Sequence, residues 1–115
     1  MPMMTHAARA YESSSGMRNL RDQEADIFRR ANAALRYSRS GNTLARVRAL
    51  ADNNRLWITV IDLVRDPANQ LPEPLRASIV SVGMAVQREI KSSDPDIDFL
   101  LSVNDNMVAG LTRQR

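Results

Sequence analysis

Residues 53–90, NNRLWITVIDLVRDPANQLPEPLRASIVSVGMAVQREI, constrain the fold more than any other part of the chain. Two strongly apolar helical patterns flank a turn bracketed by Pro67 and Pro72. A residue before proline is pushed out of the α region, so the first pattern must stop at Asp66. Pro72 and Pro74 sit where a third helix begins, since a missing N–H costs little in a first turn. The β-branched run Ile58-Thr59-Val60-Ile61 suggests a strand by composition alone. The sustained helical period around it, with no turn residues nearby, argues for a helix instead.

That helix spans residues 42–66. Leu50, Trp57, Ile61 and Val64 form its main stripe, and Leu56, Ile58, Val60 and Leu63 widen it past the usual arc of about 100°. Only Arg48, Asp52, Arg55, Thr59, Asp62 and Asp66 remain for water. A helix apolar over most of its circumference belongs in the middle of a bundle. The first long helix covers residues 20–38, with Asn19 as N-cap and Asp22 as a capping-box-like partner. Leu20, Ile27, Phe28, Ala31, Ala34 and Leu35 share one stripe, and Asp26 and Arg30 stand as an i,i+4 pair. Gly41 closes it. The third helix runs from residue 72 to 92 with Leu75, Ile79, Val82, Val86 and Ile90 inward. Asp94 caps the fourth, Pro95 is its first residue, and Ile97, Leu100, Leu101, Met107, Val108 and Leu111 form its stripe.

Short connections imply antiparallel neighbours. The expected fold is all-α: a small antiparallel bundle of four main helices over residues 19–115, preceded by a short N-terminal helical arm over residues 1–18. In that arm Ala7, Ala8, Ala10 and Tyr11 allow one or two turns, which Ser13, Ser14, Ser15 and Gly16 then break. So short a helix is marginal alone and must dock to be ordered.

Composition excludes several functions. The 115 residues contain no cysteine and one histidine. Disulfide scaffolds, thiolate metal sites and cysteine nucleophiles are therefore ruled out, and a zinc site lacks its usual ligands. No cofactor is expected. No apolar run reaches the roughly 18 residues of a membrane span. The N-terminus lacks the basic-then-apolar pattern of a signal peptide. A soluble, intracellular helical domain is the expectation. Net charge is +3, concentrated in the first half, and a basic half suggests nucleic acid or an acidic partner. The aromatic residues do not interleave with the basic positions, so base stacking has no platform and RNA is the lesser reading.

Some residues allow two readings. Trp57 is read as a core residue; alternatively its indole edge lines a groove. Glu24, Asn53, Asn54, Glu89 and Asn104 interrupt the apolar stripes. Buried alone, each would be costly. Either they form a hydrogen-bonded layer that fixes helix register, or they mark a stripe end that stays open until a partner arrives. Ala77, Val80 and Met84 give the third helix a second apolar edge, either sandwiched or exposed as a docking face. No nucleophile–base pair or phosphate loop accompanies the carboxylates, so the chain reads as a binding surface and not an enzyme.

The step Asn54-Arg55-Leu56-Trp57, the turn Asp66-Pro67-Ala68-Asn69-Gln70-Leu71-Pro72, Leu75-Arg76 and the helix over residues 79–86 together resemble the FlaF family of flagellar biosynthesis regulators. Ala10-Tyr11, Glu24 with Phe28, Asn104 and Gly110-Leu111 extend the resemblance over nearly the whole chain. It implies a non-enzymatic cytoplasmic protein needed for flagellin production or export, linked to flagellin binding and to FlbT, a regulator of flagellin mRNA. An RNA-binding regulator of that message is the alternative. Flagellin's terminal segments are amphipathic helices that aggregate if released early, and a small helical body can hold one in a groove. The residues expected to meet the partner are Tyr11, Glu24, Phe28, Asn54, Trp57, Ala77, Val80 and Met84.

Overall fold

A computed structural model describes the chain from His6 to Arg113, with side chains described from Gln23 to Thr112. Four helices follow one another: α1 (His6–Ser40), α2 (Thr43–Arg65), α3 (Glu73–Ile90) and α4 (Ile97–Arg113). Helix α4 packs on α1, α1 on α2, and α2 on α3; no comparable seam joins α3 to α4 among the described residues. Contacts run backwards between α1 and α4: Asn32 and Arg36 meet Asp105, and Arg39 meets Asp98. The arrangement is the expected all-helical, antiparallel one.

Local signals set most boundaries. The Asn42 side chain accepts the amide of Ala45 at 2.9 Å and so caps α2. Asp66 ends it in an extended conformation, as its proline neighbour requires. The turn is tied by two side chains. Asp66 accepts from the Ala68 amide at 2.9 Å. Asn69 donates back to the Leu63 carbonyl at 3.0 Å and accepts from the Leu71 amide at 3.0 Å. These bonds satisfy carbonyls and amides that a helix end leaves unpaired.

Several expectations need correction. Helix α1 is continuous from His6, so residues 13–16 do not break it and Asn19 does not cap it. The division at residue 18 falls on residues whose side chains lie outside those described. The exposed pair on α1 is Asp26 with Arg29, three residues apart at 2.8 Å, and not Asp26 with Arg30. Asp96, and not Asp94, caps α4 by accepting from the Phe99 amide. Asp94 pairs instead with Arg46 at 2.9 Å.

The core centres on Trp57, which is wholly enclosed and meets Phe28 edge to face with ring centres 5.8 Å apart. Leu35, Ala49, Val86, Ile97, Leu100 and Leu101 complete it. Helix α3 enters through Gly83, where an added Cβ would stand 2.8 Å from two atoms of Ile61 and 3.1 Å from Trp57. That approach sets the rotation of α3. Gly83 and Val86 face inward, while Leu75 and Val82, expected in the core, are exposed. Ile27 of α1 is likewise 48% exposed, against expectation.

Candidate functional site

A polar layer lies across the core. Asn104 of α4 donates its amide to Asn32 of α1 at 3.0 Å and to Asn53 of α2 at 2.7 Å. Its oxygen accepts the Trp57 indole N–H at 2.9 Å. Asn32 further donates to the Leu101 carbonyl at 3.3 Å and to Asp105 at 2.8 Å. All three asparagines are 1% exposed or less. Of the two readings, the hydrogen-bonded layer holds for Asn53 and Asn104, and Asn32 joins them. Glu24 and Glu89 are not members. Glu24 is exposed. Glu89 accepts from the Asp96 amide at 3.0 Å and so helps hold the start of α4.

Beside this layer, at the end of the bundle where α2 turns into α3, lies an apolar cleft of about 220 Å³. Phe28 of α1 borders it, with Leu56, Val60 and Leu63 from α2, Leu71 from the turn, Ile79 from α3, and Met107 and Leu111 from α4. Glu24, Thr59 and Asn69 supply its few polar groups. Leu63 is 57% exposed at its edge. Small-molecule pockets are commonly larger, about 300–1,000 Å³, and carry converging polar groups. A shallow, nearly all-apolar trough suits a row of side chains from another polypeptide.

The expected contact residues are dispersed. Glu24 and Phe28 line this cleft. Trp57 does not: it is 0% exposed, and its indole N–H is spent on Asn104, so its place in a partner-contact set is corrected to the core. Ala77 and Met84 are exposed and Val80 is half-buried, so the second edge of α3 is largely open. Met84 borders a separate hollow with Ile58, Ile61, Asp62, Arg65 and Gln87. Asn54 is half-buried, and its side-chain oxygen is enclosed without a hydrogen-bond partner. The Tyr11 side chain lies outside the described residues.

Sequence reasoning missed Leu63, Leu71, Ile79, Met107 and Leu111 as one wall. The available signal was Leu71, a large apolar residue in a proline-bounded turn that no helical stripe claims.

Arg29, Arg36, Arg39 and Arg46 pair with Asp26, Asp105, Asp98 and Asp94. Much of the basic excess of the first half is thus spent within the fold. Among the described residues no group of three or more His, Asp or Glu side chains is placed to hold a metal ion. No helix among them is long and apolar enough to cross a membrane.

No curated protein and no solved structure matches the chain. A family model described as flagellar protein FlaF matches residues 7–111. The chain therefore belongs to the FlaF family, and its role lies in flagellar biosynthesis or its regulation.

Proposed function

We propose that this FlaF-family chain is a non-enzymatic, cytoplasmic flagellin-binding factor that holds an amphipathic helix of flagellin in the cleft bordered by Phe28, Leu63 and Met107. The cleft itself carries the reading. Its walls are apolar, they come from all four helices and the turn, and Leu63 and Ile27 stand exposed at the rim. Exposed apolar surface of this kind is what helix-in-groove recognition uses. Holding a sticky terminal helix until export prevents its self-association, which is the task of a chaperone. Glu24 at the edge favours a partner segment with a basic or amide group beside its apolar row.

RNA binding is the weaker reading. Four arginines are already engaged in ion pairs, Phe28 and Trp57 are buried, and Tyr37, 70% exposed beside Arg36 and Arg39, is a single stacking face where RNA recognition usually uses several. The functional link to FlbT is compatible with either reading.

The test is calorimetric titration of the purified chain with monomeric flagellin. Binding at micromolar concentration is expected. Leu63→Asp should weaken it at least about tenfold, the equivalent of about 1.4 kcal/mol, with the helical circular dichroism spectrum unchanged. Absence of binding at tens of micromolar, or equal affinity for Leu63→Asp, overturns the proposal.

A further inference from the structure

Helix α2 carries three apolar rows: one is buried, one lines the cleft through Leu56, Val60 and Leu63, and a third lies open on another side of the helix. Ala49, Asn53, Trp57, Ile61 and Val64 face inward. Outside the buried row the exposed Leu44, Val47, Ala51 and Ile58, with the half-buried Asn54 between the last two, recur at intervals of three and four, the spacing of a coiled-coil seam. Leu44 is 55% exposed, Val47 56% and Ile58 44%. The row covers about 21 Å at about 1.5 Å per residue. It runs into the hollow that Ile58 shares with Met84 and Gln87 of α3. A helix apolar on both sides is patterned for cover on both sides.

The charges beside this row select what covers it. Arg48 and Arg55 follow its residues along one flank, and Arg65 stands at its end in the Met84 hollow, with Asp62 alongside. Among the described residues the arginines that form ion pairs are Arg29, Arg36, Arg39 and Arg46; none of these three is among them. A second copy of the chain would bring the same arginines against each other in a self-complementary contact. A helix with apolar residues at the same spacing and glutamate or aspartate at its flanks would match both the row and its charge.

We propose that the outer face of α2, from Leu44 to Ile58, is a second docking surface, separate from the cleft, and that it takes an acid-flanked amphipathic helix of another protein. The two surfaces lie on different sides of α2, so one molecule can hold two partners at once.

The probe is a three-heptad synthetic helix with leucine at the seam and glutamate at the flanks, kept below its own association threshold. A second peptide carries lysine in place of glutamate. Amide chemical shifts of the full chain are followed during titration. The expected result is shifts along residues 44–58 and binding at least about tenfold tighter for the glutamate peptide. This preference should weaken as salt rises. Arg48→Glu with Arg55→Glu should reverse the preference, and Val47→Asp with Ile58→Asp should abolish binding of both. All four positions are exposed, so the fold tolerates the changes. Equal affinity for the two peptides, shifts confined to Phe28 and Leu63, or no binding overturns the proposal. So does binding of the chain to anionic vesicles through these residues without peptide binding, which assigns a lipid surface. A dimer in sedimentation that Val47→Asp with Ile58→Asp dissolves assigns the face to a second copy and overturns it equally.

Discussion

Replacing Asn104 by alanine removes the hub of the polar layer. Three hydrogen bonds are lost: those from its amide to Asn32 at 3.0 Å and Asn53 at 2.7 Å, and that from the Trp57 indole at 2.9 Å. Alanine leaves three enclosed groups without partners: the Trp57 N–H and the side-chain oxygens of Asn32 and Asn53. Asn53 already has an enclosed amide nitrogen without a partner, so its whole side chain becomes orphaned. Each buried group left unsatisfied costs about 1–3 kcal/mol. Water entering the vacated space offsets part of this, which brings the expected loss to about 3–5 kcal/mol. A domain of this size is stable by about 5–15 kcal/mol, so the variant folds but melts roughly 12–20 °C lower. Urea unfolding followed by Trp57 fluorescence measures the loss, and the folded emission should change because the indole loses its acceptor. The same substitution in a Trp57→Phe background, followed by circular dichroism, should cost at least about 0.5 kcal/mol less, since one orphan is already absent. A loss below about 1 kcal/mol, or strict additivity of the two substitutions, would refute the layer as a stabilising unit.

The glycines Gly83 of α3 and Gly110 of α4 should respond to alanine with opposite sign. At Gly110 nothing lies within 4 Å of an added Cβ, so helix propensity alone acts and stability should rise by about 0.5–1 kcal/mol. At Gly83 the Ile61 atoms at 2.8 Å impose an overpacking cost of about 1–3 kcal/mol that outweighs the propensity gain; a higher melting temperature for Gly83→Ala would contradict the close approach. Met84→Asp, at a side chain 45% exposed, should shift stability by no more than about 0.5 kcal/mol in thermal melts. Arg46→Ala breaks an ion pair in which the Asp94 side chain is 91% exposed, so chemical denaturation should register a loss of about 1 kcal/mol or less.

The sequence made the turn between α2 and α3 legible because its signals are local. Asp66 before Pro67, Asn69 and the pair Pro72 and Pro74 each act on their own backbone, and the helix ends fall where they dictate. The break at Gly41 and the start of α2 beside Asn42 are legible for the same reason, and the structure adds that Asn42 is the cap. The phase of α3 is not. Counting apolar residues places Val82 inward, but contact with Trp57 and Ile61 is made by Gly83, and the smallest side chain wins because it permits the closest approach. Asn53 and Asn104 stand out as polar breaks in apolar stripes, whereas Asn32 sits in the run Ala31-Asn32-Ala33-Ala34 and breaks nothing. Its burial depends on Leu101 and Asp105, about seventy positions away in the chain. The cleft is harder still to read, since its walls come from four helices and a turn whose convergence no single periodicity encodes.

The polar layer and the cleft are mechanically one object. Phe28 borders the cleft and also packs its ring against Trp57 at 5.8 Å. Trp57 is fixed in turn by Asn104, which is held by asparagines from two other helices. The inner wall of the cleft is therefore braced by hydrogen bonds whose directions are specified, while its rim, the side chains of Leu63 and Ile27, is exposed to solvent and held by no such bonds. A rigid base lowers the entropy lost when a partner docks, and an open rim accommodates partners that differ in detail. Substitutions in the layer should then reduce partner affinity as well as stability, through loss of the base against which Phe28 rests. Substitutions at the rim reduce affinity alone. That separation distinguishes a preorganised docking cleft from an incidental gap between helices, where loosening the core would leave binding untouched.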